Sequence, residues 1–211
     1  MTLSYFGKRL RHVRGQRRNG DSVEPISYKG LSDGARDQIK KLGDGCLLLA
    51  REGLEDPNFK ITVVLICVHN ADGAFGLVLN RPSHMPLSEV FDVDVVQKLE
   101  RRKIYIGGPV QQDALQIVQL TDGPARNAYR VAPGVHLGGE WNALADILAA
   151  DQSTTRLFLG YSGWGPGQLE AEIAVGAWEV YNVDVNRLLR GPEDKLIGDV
   201  DAIRSYIASL A

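Results

Sequence analysis

The run from Ile61 to Val68, ITVVLICV, and the run from Ala74 to Asn80, AFGLVLN, are separated only by the polar stretch that ends in Asp72-Gly73. The β-branched content of the first run marks a strand buried on both faces, and Asp-Gly between two apolar runs is a tight hairpin signal. Strands joined so closely run antiparallel, because a parallel pair needs a crossover of about a dozen residues or more. A purely parallel, doubly wound sheet is thereby excluded.

Elsewhere strands and helices alternate. Cys46 to Ala50 reads as a core strand, and further strands are expected over Lys103–Ile106, Ala114–Leu120, Ala128–Ala132, Thr155–Gly160 and Trp178–Val183. A helix is expected to start near Ser32 and stop at Gly43 and Gly45. Others are expected over Leu87–Leu99, over Gly139–Ala150 with Trp141, Leu144, Ala145 and Leu148 as its apolar stripe, and after Pro166 with Leu169 and Ile173 on the buried side. Asp184 caps a short helix through Leu189, and Val200 to Leu210 completes the set. The expected class is mixed α/β, with one globular domain over residues 32–211.

At 211 residues and 44% apolar content the chain can bury a sizeable core. No apolar stretch approaches the ~20 residues that span a bilayer, so no membrane contact is expected. Lys8, Arg9, Arg11, Arg14, Arg17 and Arg18 fall where the apolar part of a signal peptide would lie, which points to a cytoplasmic protein. Residues 1–31 read as a basic, disordered extension: residues 1–29 hold seven basic and two acidic side chains, leaving 17 basic and 24 acidic in the remainder, a net of −7. Nucleic acid bound through residues 1–29 is the reading this asymmetry allows, although no helix-turn-helix is legible. Cys46 and Cys67 lie within apolar runs and read as small buried hydrophobes, with a redox pair on neighbouring strands as the alternative.

The segment GYSGWGPGQLE, Gly160 to Glu170, concentrates glycine, aromatic and polar residues and reads as a shaped loop suited to recognition. The familiar catalytic patterns fail on it. A nucleophile elbow at Ser162 needs glycine where Trp164 stands, and a dinucleotide fingerprint needs glycine or alanine where Gln168 stands. Backbone amides near Gly165 and Pro166 leave an anion cradle open. His12, His69, His84 and His136 are scattered without metal-ligand spacing, and Glu170 and Glu172 point to different faces of a helix. No metal and no cofactor is expected.

The pieces GCLLLA, DPNF, ITVVLIC-x-HN, GAFGLVLNRP, YIGGPV and LGYSGWGPGQLE-x-E, in this order and spacing across Leu42 to Val183, resemble the bacterial YqgE/AlgH family. The resemblance implies a bifurcated, mostly antiparallel sheet curled into a pseudo-barrel with helices around it. It also implies a cytosolic protein of undefined biochemistry, one branch of which is named as a regulator of alginate synthesis. A nucleic-acid-linked transcriptional regulator that uses the basic N-terminal arm is a further alternative. This chain departs from the family in having Val68 where a glutamate usually precedes the His-Asn pair.

The motif residues carried over are His69, Asn70, Asn80, Arg81, Pro82, Gly107 to Val110 and the glycine-rich segment. The candidate ligand- or partner-binding set is His69, Asn70, Asn80, Arg81, Gly107, Gly108, Tyr161, Trp164, Gln168 and Glu170, with Asn80, Arg81, the Gly107-Gly108 turn, Trp164, Gln168 and Glu170 expected on one surface. A purely architectural reading has the glycines making turns, Arg81 paired with Glu170 and Trp164 plugging the end of the curled sheet. The function expected is binding or regulation without turnover, of a small ligand or a protein. The alternative is a hydrolase or transferase for a small anionic or nucleotide-like substrate, with Arg81 holding charge and Glu170 as base.

Overall fold

The computed structural model describes residues 30–85, 88, 97, 103–123, 127–139 and 154–211. The helices expected over Leu87–Leu99 and Gly139–Ala150, and the basic extension, lie almost entirely outside them. Among the described residues nine strands form one sheet: β1 (Leu47–Ala50), β2 (Val63–Asn70), β3 (Gly73–Val78), β4 (Ile104–Ile106), β5 (Val110–Leu120), β6 (Ala128–Ala132), β7 (Val135–Gly138), β8 (Thr155–Trp164) and β9 (Trp178–Tyr181). Their order is β6-β7-β5-β8-β3-β2-β1-β9, with β4 added beside β8. Every pairing is antiparallel except β4 with β8. Among the described residues the ladder does not close into a barrel: β6 and β9 end it, and the Tyr129 hydroxyl of β6 donates to Asp44, just before β1.

β1 and most of β2 are buried on both faces, which is why CLLLA and VVLIC are continuous apolar runs and not alternating ones. Leu47, Leu49, Val63, Leu65 and Leu77 point into a core closed by α3 (Val185–Arg190), a 3-10 turn (Glu193–Leu196) and α4 (Val200–Ala208). Cys46, Leu48, Val64, Ile66 and Val78 point the other way, into a core closed by α1 (Asp33–Lys40) and α2 (Gln168–Ala174). Each fully buried aliphatic side chain contributes about 1.5–3 kcal/mol. The helix starts follow their caps: Ser32, Asp184 and Asp199 each accept a backbone N–H of the first turn.

Cys46 and Cys67 fall in different cores, on opposite faces of the sheet, and this geometry rules out the redox pair. Burial pushes the Cys46 thiol up to about 11 and raises that of Cys67 as well. Both thiols are expected to ignore a thiol reagent at neutral pH until the chain unfolds; rapid labelling of the native protein would contradict this burial.

The hairpin differs from expectation by one residue. Asn70 pairs with Gly73, so the turn is Ala71-Asp72, and the Asn70 side chain accepts the Asp72 N–H at 2.8 Å. Gly73 is the first residue of β3 because a Cβ there would lie 2.1 Å from the Trp164 carbonyl oxygen. β7 went unforeseen, although Pro133-Gly134, with φ 68° at the glycine, is the turn that joins it to β6.

β3 and β4 lie on the same side of β8, and the sheet forks between them. Ala74, Phe75 and Gly76 pair with Trp164, Gly163 and Ser162, while Ile104, Tyr105 and Ile106 run parallel to Leu157, Phe158 and Leu159. Gly107 is the crotch: its N–H donates to Leu159 O at 2.7 Å, and its carbonyl accepts from the Val78 N–H at 2.9 Å and the buried Ser162 hydroxyl at 3.1 Å. Beyond the fork, residues 81–83 turn back along β4 through Ile106 N to Arg81 O and Ser83 N to Ile104 O, each 2.8 Å.

β9 is an edge strand, and α1 and α4 guard it. The Gln38 side chain accepts the Val180 N–H at 2.6 Å, which caps a donor that would otherwise template aggregation. Arg204 of α4 grips both Glu179 oxygens, each at 3.0 Å, and Tyr181 donates to the same carboxylate at 2.6 Å. Burial alone would raise the Glu179 carboxyl, but these bonds and the charges of Arg204 and Arg51 hold it below its ordinary value. A carboxyl depressed by folding stabilises the fold above the unfolded pKa of about 4.3, and that stability is lost as pH falls through the folded value. Glu179→Gln is therefore expected to flatten the acid limb of the melting temperature against pH; an unchanged slope would show that the network carries no linkage.

Candidate functional site

The glycine-rich segment is mostly strand. β8 runs through Tyr161, Ser162 and Gly163 to Trp164, leaving only Gly165 to Gly167 as loop. The reason is pairing: β3 supplies partners on one side, and Gly160, at φ 68°, turns β8 past the bulged start of β5. Tyr161 is therefore a core residue, stacked on Phe75 with centroids 4.6 Å apart. Gly107 and Gly108 are explained by close approach, since a Cβ would lie 2.5 Å from Gly160 O at the first and 2.3 Å from the Tyr161 carbonyl carbon at the second.

The remaining candidates fall into two groups at the two ends of β3. Trp164 is level with Ala74, whereas Asn80 and Arg81 lie beyond the far end of the strand, about 20 Å along it at 3.3–3.4 Å per residue. Asn80 is a staple. Its side-chain oxygen accepts the Val63 N–H at 3.0 Å, and its amide donates to Ile61 O at 3.0 Å and Leu196 O at 2.9 Å. Arg81 donates to Lys60 O at 3.2 Å and does not meet Glu170, so the expected Arg81–Glu170 pair is replaced by another.

That other pair is His69 with Glu170. His69 is the penultimate residue of β2, Glu170 stands in the first turn of α2, and Nε2 and Oε1 are 2.9 Å apart with the side chains 18% and 14% exposed. The His69 backbone N–H donates to Asp44 Oδ1 at 2.7 Å, while the other Asp44 oxygen accepts from Tyr129. Four separate elements thus converge on one edge of the sheet. Asn70 lies beside them as the last residue of β2, its side chain accepting the Asp72 N–H of the turn. Val68, at the position where the resemblance calls for a carboxylate, is 6% exposed and pairs with Phe75, so no charge stands there.

Next to this pair an aromatic box is closed around a single carboxylate. Glu172 Oε2 accepts the indole N–H of Trp164 at 2.9 Å and of Trp178 at 2.8 Å, and Oε1 accepts the Gln168 amide at 2.9 Å. Phe59 lies against both indoles, at 6.0 and 5.5 Å. Gln168 also accepts the Gly165 N–H at 3.0 Å, which removes a donor from the anion cradle considered above. Nothing in the sequence singled out Asp44, Tyr129 or Phe59 for the site, and Glu172 entered it only as a carboxylate turned away from Glu170. The signal for Glu172 was the separation of two residues from Glu170, which sends one carboxylate to the hairpin and the other to the tryptophans. Among the described residues no cluster of histidine, cysteine and carboxylate side chains has metal-binding geometry.

A forked, mostly antiparallel sheet with helices on both faces defines a particular class of α/β domain. A family model described as AlgH-like matches residues 47–200. The chain belongs to that family. It is 38% identical over 146 residues to a UPF0301 protein of Chlorobium phaeobacteroides, covering 68% of this chain and 76% of the relative. A UPF0301 protein of Myxococcus xanthus is 38% identical over 143 residues, 66% and 78% of the two chains. The solution structure of AlgH from Pseudomonas aeruginosa superposes with a TM-score of 0.62 at 29% identity, covering 79% of this chain and 87% of that one. A crystal structure of a protein from Corynebacterium diphtheriae gives 0.61 at 26%, covering 78% and 87%.

Proposed function

We propose that the chain is a binding or regulatory protein without turnover, and that its ligand or partner meets the hairpin end of the sheet at His69, Asn70 and Glu170. The observation that supports this reading is the His69–Glu170 contact, partly exposed between the end of β2 and the first turn of α2. Its neighbours have their acceptors filled: both oxygens of Asp44 and both of Glu172 hold hydrogen bonds within the fold. They serve as a rigid frame, which lowers the ordering cost of recognition. A cytoplasmic location belongs to the same reading, and no helix among the described residues is long and apolar enough to cross a membrane.

A thermal-shift screen of the full chain against a metabolite panel is the test, since a native-state binder raises the melting temperature by mass action. A hit is expected to lose its shift in Glu170→Gln and His69→Asn. Hits indifferent to both substitutions would remove the hairpin end from the reading. The enzymatic alternative gains one feature from the geometry: Glu170 holds His69 as a carboxylate orients a general base. Under that alternative, consumption of a small anionic or nucleotide-like substrate would fall by about 10²-fold or more in His69→Asn. Nucleic-acid binding through residues 1–29 is a third proposal, and deletion of those residues should abolish any salt-sensitive binding.

A further inference from the structure

β6 is an edge strand with an interrupted ladder. Among the described residues it pairs with β7 alone, and the register shifts between Arg130 and Ala132. It also meets the turn that leads into β1, where the two chains pack together without a strand pairing among the described residues. Gly45 sets the closeness of that seam: a Cβ there would lie 3.0 Å from Val131 O and 3.1 Å from the Ala132 Cβ. Across the same seam the Tyr129 hydroxyl donates to Asp44, and the Tyr129 ring packs on the core that holds Val131 and Leu137. A strand held by one ladder and by side-chain contacts opens more easily than the centre of a sheet.

Asp44 connects this seam to His69. β2 is paired with β1 as far as Leu65 opposite Leu47, so the His69 N–H lies beyond the last residue pair of that ladder. Asp44 Oδ1 accepts it at 2.7 Å, while the other oxygen holds Tyr129. His69 Nε2 in turn lies 2.9 Å from Glu170 Oε1 in the first turn of α2. Successive contacts thus run from β6 through the turn before β1 and the end of β2 to α2. A carboxylate bonded through both oxygens has little freedom to rotate, so a displacement at one end of this chain of contacts is passed to the other.

We infer that Asp44 couples the seating of β6 to the His69–Glu170 pair: breaking the pair loosens β6, and unseating β6 disturbs His69. Tyr129 and Asp44 are positioning residues in this scheme. The consequence for recognition, that an occupant of the hairpin end is felt at β6, rests on the reading above; the coupling itself is measured without a ligand. Amide hydrogen exchange of the full chain, resolved by NMR, compares the parent with Glu170→Gln, Tyr129→Phe and the double variant. In the parent, β6 amides are expected to exchange faster than those of Leu65 and Leu77, and Glu170→Gln should speed them about threefold or more. In the Tyr129→Phe background, which keeps the ring and cuts the link, the same substitution should leave β6 exchange unchanged. The His69 ring resonances give a second readout and should move in Tyr129→Phe. Exchange of β6 in step with Leu65 and Leu77, equal acceleration in both backgrounds, or His69 resonances that stay in place would each overturn the coupling. None of these results depends on the ligand screen, so the binding reading can fail while the coupling holds, and the reverse.

Discussion

Gly108→Ala is expected to cost about 3 kcal/mol or more and to give a protein that melts far below the parent or does not accumulate folded. The added methyl would meet backbone on every side, 2.3 Å from the Tyr161 carbonyl carbon and oxygen and 2.4 Å from the Ser162 nitrogen. No rotamer relieves a clash with main chain. The strands would have to part where β4, β5 and β8 converge, and Gly107 and Ser162, which close the fork with their hydrogen bonds, would move with them. Gly34→Ala is the contrasting control, since nothing lies within 4 Å of its added carbon and alanine favours the helix it sits in. Equilibrium urea unfolding of the two variants measures the difference; near-equal midpoints would mean that the fork is far more yielding than its distances show.

Glu172→Ala should destabilise by about 2–4 kcal/mol, because it strands two buried indole donors at once, while the exposed Gln168 amide turns to water. Trp164 and Trp178 are 6% and 1% exposed, so water cannot readily replace the carboxylate. Glu172→Gln should fall between the two, since its amide oxygen still accepts but carries no charge. Denaturation followed by indole fluorescence reports both the stability and the environment of the box. If alanine and glutamine variants unfold together at the parent midpoint, the box owes its shape to Phe59 packing alone.

The two sites differ in how much of them was legible. Asp72-Gly73 announced the hairpin, and the apolar runs announced strands covered on both faces, because these signals are local and follow from backbone sterics and burial. The glycine-rich segment was misread as a loop from Gly160, because glycine in a strand and glycine in a turn look alike until the neighbouring chain is known. Pairing with β3 made Tyr161 to Trp164 a strand, and close contact with Gly108 made Gly160 obligatory. Asn80 and Arg81, expected on one surface with Trp164 and Glu170, lie at the other end of β3. Nothing local records that Asn80 reaches residues 19 and 116 positions away.

Period, composition and turn chemistry by themselves determined the mixed α/β class, the antiparallel start of the sheet and the positions of most strands, since each depends on residues within one or two turns of chain. Tertiary structure decided that the sheet forks at Gly107, that His69 finds Glu170 across 101 residues, and that Asn80 serves the opposite end of β3. Those outcomes depend on which strands share an edge of β8, and strand neighbours are selected by burying both faces of the whole sheet at once, a condition no single segment contains.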